Sequence, residues 1–191
     1  EIVPDFDLNV MKPNQNLSSL TSKILKELSV LLKTIKPDVI FVQGDTTTTF
    51  AASLAAFYEK IPVAHIEAGL RTRNKYSPFP EEINRRMTTS IASYHFPPTE
   101  KSKNNLLNEG VDPESIIVSG NTIIDALLIA SNKLDKNKIN QELLFKKKFN
   151  INFKSKKLIL ITGHRRENFG NKFENICYAI KEIVLEKNII V

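Results

Sequence analysis

Apolar positions at Leu17, Leu20, Ile24, Leu25, Leu28, Leu31, Leu32 and Ile35 recur at three- and four-residue spacing. That period predicts an amphipathic helix over residues 17–35, which Pro37 terminates. The pattern then changes. "DVIFVQ" is a short continuous apolar run rich in β-branched residues, as expected of a strand covered on both faces. Gly44 and Asp45 make a turn, and the threonines after them open a helix that runs to Lys60 through Ala51, Ala52, Leu54, Ala55 and Phe57. Pro62 restarts the chain as a strand, "PVAHIE", which Gly69 breaks.

The alternation continues with a helix from Glu81 to about Ser93, a short strand "YHF", and a helix in "TEKSKNNLLNEG" with Thr99 as its cap and Gly110 beyond its end. "SIIVSG" predicts a strand and "TIIDALLIASNKL" a helix. Residues 133–156 are polar and weakly periodic. "KKLILITG" predicts a buried strand, "NKFENICYAIKEIVLEK" a helix, and "NIIV" the start of another strand. Strand and helix alternating at this spacing mean βαβ units, hence an α/β fold: a Rossmann-like parallel sheet with helices on both faces. Ligands of such sheets sit outside the carboxyl ends of the strands. Both chain ends read as cut, so a piece of a larger two-domain protein is the expectation.

Composition narrows the function. With 191 residues and 41% apolar side chains the chain can bury a core. Its net charge of +6 suits an anionic ligand such as a diphosphate. The bases are scattered lysines without interleaved aromatics, which argues against nucleic acid. The lysine runs at 146–148 and 154–157 read as solvated linker surface. The single cysteine, Cys177, excludes an internal disulfide and a cysteine metal cluster; in step with Phe173, Ile176 and Ile180, it is expected to pack in the interior. No leader pattern opens the sequence and no apolar run reaches the length of a membrane span, so the expected setting is soluble and cytoplasmic, without a membrane partner.

Four segments at strand ends hold candidate chemistry. "GDTTTT" combines Asp45 with a helix start whose N–H groups and hydroxyls suit a phosphate or sugar oxygen; as structure, it is a turn and a cap. In "HIEAGLRT", Glu67 ends an apolar strand, where a carboxylate needs a partner or a purpose; Arg71 is the structural partner to hand, and His65 reads as a core histidine. "SPFPEEINRR" starts a helix with Glu81 and Glu82, which the helix dipole also favours, and Arg85 and Arg86 read as local pairs. "TGHRRENFG" places His164, Arg165 and Arg166 where a strand ends, an anion site by residue type. His95 reads as strand-end packing. No GxGxxG or GxxxxGK[ST] is present, and the histidines at 65, 95 and 164 lack metal spacing.

Taken together, "VPDFDLNVM", "GDTTTTFAASLAAFYEKIPVAHIEAGLRT", "YSPFPEEINRR", "HFPPTE", "SGNTIIDAL" and "TGHRREN" resemble the non-hydrolysing UDP-N-acetylglucosamine 2-epimerases of bacteria, in the family's order over nearly the whole chain. The resemblance implies two Rossmann-like domains in a glycosyltransferase-B-like arrangement. Residues 1–120 form most of the first, without its opening strands, and residues 121–191 begin the second. It implies interconversion of UDP-GlcNAc and UDP-ManNAc for surface polysaccharides, a UDP-sugar as substrate, no cofactor or metal, and a homodimeric parent. Asp45, Glu67, Glu81 and His164 match the family's catalytic positions; Asp45, Glu67, His164 and Arg165 match positions that meet substrate. The C2 hydrogen is not beside a carbonyl, so the family eliminates UDP, reprotonates the glycal from the other face and adds UDP back. Several carboxylates suit a reaction on two faces of one carbon, and cationic groups suit the departing diphosphate.

Gln43 departs from the histidine many relatives carry, and the family's nucleotide-binding arginine lies outside this sequence. Two other readings stay open: a hydrolysing relative that releases ManNAc, and a catalytically silent nucleotide-sugar-binding module.

Overall fold

Helix α1, Leu17–Ile35, starts where the Asn16 side chain accepts from the Ser19 N–H at 2.8 Å, and ends where Lys36 turns left-handed and returns its N–H to the Leu32 carbonyl. These ends belong to a computed structural model that describes residues 3–136, 138–149, 157–162, 170–185 and 189–191. The chain forms two units, Glu1–Asn121 and Thr122–Val191.

In the first unit, β1 (Ile40–Gln43), α2 (Thr47–Tyr58), β2 (Val63–Ile66), α3 (Glu81–Ile91), β3 (Tyr94–Phe96) and α4 (Glu100–Asn108) follow α1. The three strands are parallel and lie in chain order, with Val42 opposite His65 and His65 opposite His95. Because every step across the sheet has the same direction, right-handed crossovers bring the connecting helices to one face. The core confirms this: Val42 and Val63, which share that face, pack with Leu32 of α1 and with Ala55 and Ala56 of α2. The alanines let α2 lie close to the strands. Among the described residues the opposite face carries Phe41 and Phe96, with ring centroids 6.2 Å apart, and Tyr94. A second cluster joins Leu106 of α4 to Ala68 and Ile116. Gly69, at φ +81°, makes this possible, since a Cβ there would collide with the Ser102 carbonyl.

The expected strand "SIIVSG" is reduced to one bridge, Ile116 to His95, after a short 3₁₀ turn at Pro113–Ser115. The chain still runs beside β3, because Ile117 and Ser119 donate to the His95 and Pro97 carbonyls.

The second unit holds α5 (Thr122–Asp135), α6 (Lys138–Phe149), β4 (Lys157–Leu158), α7 (Asn171–Leu185) and β5 (Ile189–Ile190), with β4 and β5 parallel. The polar stretch after residue 133 thus contains a helix its weak periodicity did not predict. Lys, Glu, Gln and Leu favour helix without an apolar stripe, and Lys146, Lys147 and Lys148 complement the carboxyl-end dipole. Cys177 is exposed, against the expectation of burial. The helical period was read correctly, but only a two-stranded sheet stands in this unit's described residues for α7 to cover. No described helix is long and apolar enough to cross a membrane.

Candidate active site

The carboxyl ends of β1 and β2 are each followed by an acidic residue. Gln43 pairs with Ile66, and the Gly44 N–H continues the ladder to the Ile66 carbonyl at 3.0 Å. Asp45 and Glu67, 22 positions apart in sequence, therefore emerge on adjacent strand ends. The Glu67 carboxylate lies over Gly44, where a Cβ would stand 3.5 Å from Oε2. Glu67 itself adopts φ +64°, a left-handed conformation that costs a side-chain-bearing residue roughly 1–2 kcal/mol. Lys36, Lys60 and Arg73 adopt the same left-handed backbone, so at Glu67 it marks a sharp turn at the strand end. Asn121 reaches Glu67 Oε1 at 3.5 Å.

Arg71 is not the partner of Glu67. Its guanidinium grips Glu109 through two hydrogen bonds of 2.7 Å and donates to Thr89 Oγ1 at 3.0 Å. That bond and charge hold the Glu109 carboxyl below its usual range. The structural ion pair considered for Glu67 is thus corrected, and its carboxylate stays at the site.

Around Asp45 the threonines act as structure. The Thr46 hydroxyl accepts the Thr49 N–H, and Thr49 Oγ1 donates to the Gln43 carbonyl at 2.7 Å. His65 is buried; as a carbonyl only accepts, its Nε2–H donates to Gly44 at 2.8 Å, which leaves Nδ1 unprotonated and buried, with no partner among the described residues. Burial first, then the nearby His95 and Arg71, push its pKa down to about 4. His95 is buried too, with Nε2 against the Thr89 carbonyl and Nδ1 against Ser115 Oγ.

Helix α3 carries more of the site than its sequence announced. Glu81 opens it, half-buried, and among the described residues no hydrogen bond links it to Asp45 or Glu67. Arg85 donates to Asp45 Oδ2 at 2.5 Å, so it serves a residue 40 positions away as well as its neighbour Glu82. Asn84 donates to the Asp45 carbonyl at 3.0 Å. Glu82, 1% exposed, accepts the Thr72 and Arg73 N–H groups. The available signal was a polar stripe, Glu82, Arg85, Thr88 and Thr89, at helical spacing beside the apolar stripe of Ile83, Met87 and Ile91. His164 and Arg165 lie outside the described residues.

A Rossmann-like α/β unit with acidic residues at neighbouring strand ends falls in the class of folds whose ligands sit at the carboxyl edge of a parallel sheet. The chain belongs to the UDP-N-acetylglucosamine 2-epimerase family, whose model matches residues 1–191. It is 54% identical over 183 residues to the UDP-N-acetylglucosamine 2-epimerase of Neisseria meningitidis, covering 96% of this chain and 49% of that protein. The crystal structure of the N. meningitidis enzyme bound to UDP-GlcNAc superposes with a TM-score of 0.88 at 54% identity, over 96% of this chain and 49% of that one. The Methanocaldococcus jannaschii enzyme in complex with UDP-GlcNAc and UDP gives a TM-score of 0.82 at 41% identity, over 98% of this chain and 50% of that one. The chain thus spans about half the length of the relatives it matches.

Proposed function

We propose that the full-length protein interconverts UDP-GlcNAc and UDP-ManNAc without hydrolysis, by eliminating UDP and adding it back. A base takes the C2 proton; its electron pair forms the C1–C2 double bond, and UDP leaves with the C1–O pair. Reprotonation on the opposite face of C2 and attack by the diphosphate oxygen at C1 complete the exchange. The sequence of steps is redox-neutral, so it calls for no hydride carrier. Asp45, Glu67 and Glu81 serve as the acid–base groups, and His164 and Arg165 as donors to the diphosphate. The observation that carries this reading is the placement of Asp45 and Glu67 at neighbouring strand ends, with the Glu67 carboxylate over Gly44, in a chain of this family. Binding of UDP-GlcNAc by the N. meningitidis relative supports the substrate.

In the same proposal, residues 1–120 and 121–191 belong to two Rossmann-like domains of a glycosyltransferase-B-like enzyme. The apolar faces of α5 and α7, with Leu127 and Val184 exposed, are those expected to meet the rest of a second domain. The enzyme works as a cytoplasmic homodimer that supplies surface-polysaccharide synthesis.

Incubating the full-length protein with UDP-GlcNAc in deuterium oxide and following products by NMR tests the function. UDP-ManNAc with deuterium at C2 of both sugars is the expected result. Free ManNAc would move the protein to the hydrolysing class, and UDP binding without either product would leave a silent binding module.

A further inference from the structure

Side chains from three elements close on the turn that carries Asp45. Its three consecutive carbonyls are each engaged: Gln43 by Thr49 of α2, Gly44 by His65 of β2 and Asp45 by Asn84 of α3. The backbone is therefore fixed before the carboxylate is considered. The carboxylate is then fixed separately, by Arg85 at Oδ2. The Arg85 side chain is 9% exposed and that of Asp45 27%, so this bond is partly shielded from water, and a guanidinium–carboxylate contact is directional.

Arg85 is itself held. Its second terminal nitrogen lies 3.5 Å from Glu82, whose carboxylate the Thr72 and Arg73 N–H groups anchor from behind. A planar fork spans two carboxylates in one plane; an ammonium does not. Arg85 Nε is buried with no hydrogen-bond partner among the described residues, so the fork meets its two acids at the expense of its own full satisfaction.

We propose that Arg85 is a positioning residue for the reaction: backed by Glu82, it holds Asp45 through Oδ2 and sets the rotamer in which Oδ1 handles the sugar proton. This rests on the assignment of Asp45 as an acid–base group. Arg85 does not touch substrate; it acts through Asp45. A proton-transfer group displaced by about 1 Å loses on the order of 100-fold in rate, which sets the scale of the effect.

The test is a double-mutant cycle in the full-length protein, with Asp45→Asn, Arg85→Gln and the pair, reading kcat and KM for UDP-GlcNAc and the affinity for UDP. Arg85→Gln is expected to lower kcat by about 30-fold or more while KM and UDP affinity stay within about threefold. In the Asp45→Asn background the same change is expected to cost less than about twofold, because nothing remains for it to orient. Arg85→Lys keeps the charge but not the fork and is expected to fall between wild type and Arg85→Gln. If Arg85→Gln does not fold, Arg85→Lys carries the same cycle. Multiplicative losses in the double variant, a wild-type kcat in Arg85→Gln, or a loss that lies in UDP affinity would each overturn the proposal. In those cases wild type still interconverts the sugars; an inactive wild type overturns the functional reading, and this proposal with it.

Discussion

Acidification should weaken the first unit well before its carboxylates protonate. The group responsible is His65, fully buried in the middle strand and held near pKa 4, against 6.5 when unfolded. Facing it are the Gly44 carbonyl, His95, Arg71 and Asp45, of which only the first and last favour the cation. Between those two values the unfolded chain binds a proton that the folded chain refuses. Stability is therefore complete above about pH 6.5 and falls as pH drops, until both states are protonated below about pH 4. At about 1.4 kcal/mol per unit, the loss is about 2 kcal/mol by pH 5 and about 3 kcal/mol at the plateau. His95, also lowered by burial, adds to the loss with the same sign. Glu109 acts in a different window: held below 4.5 by Arg71, it contributes stability that disappears only as pH falls below that value. Urea unfolding of the chain at pH 7, 6 and 5 measures the slope. His65→Gln keeps a donor for Gly44 and cannot titrate, so its profile over this range should be flatter. A wild-type free energy that does not change from pH 7 to 5, or a His65→Gln variant with the full wild-type slope, would refute the assignment.

Gly69→Ala should be among the most damaging single-methyl changes, since it combines a positive φ with a collision against the backbone of α4; a loss of about 3 kcal/mol or more by thermal or urea unfolding is expected. Asp45→Asn, Glu67→Gln and Glu81→Gln in the full-length protein should each lower turnover by about 100-fold or more, read by NMR product analysis; near-wild-type rates in all three would remove the acid–base assignment.

The elements with strong local signals were legible in the sequence. The apolar spacing of α1, the Thr99 cap of α4 and the β-branched runs of β1 and β2 state their structures within a few residues. Helix α6 was not, because it forms on propensity and charge without a stripe to reveal it. Cys177 failed for the opposite reason: its helix was plain, but periodicity says which face is apolar, not what covers it. At the site, Asp45 and Glu67 could be read because each follows an apolar strand. Arg85 could not, because adjacent acids and bases on one helix are normally each other's partners. Only the fold brings Asp45 within reach of that helix.

The pairing register is what turns a chain pattern into a site. Gln43 opposite Ile66 puts the flexible residue of one strand end, Gly44, against the strained residue of the next, Glu67. A slip of one position would reverse every side chain of β1 and take Val42 out of the core it shares with Leu32 and Val63. The apolar core thus fixes the register, and the register fixes which residues stand at the neighbouring strand ends. The left-handed backbone of Glu67 then follows from packing: the chain must turn sharply there for Ala68 and Gly69 to enter the close contact with α4. Glycine would meet that turn at less cost. The chain instead carries a carboxylate through it, over the neighbouring strand's turn, which is the placement that the proposed acid–base role of Glu67 calls for.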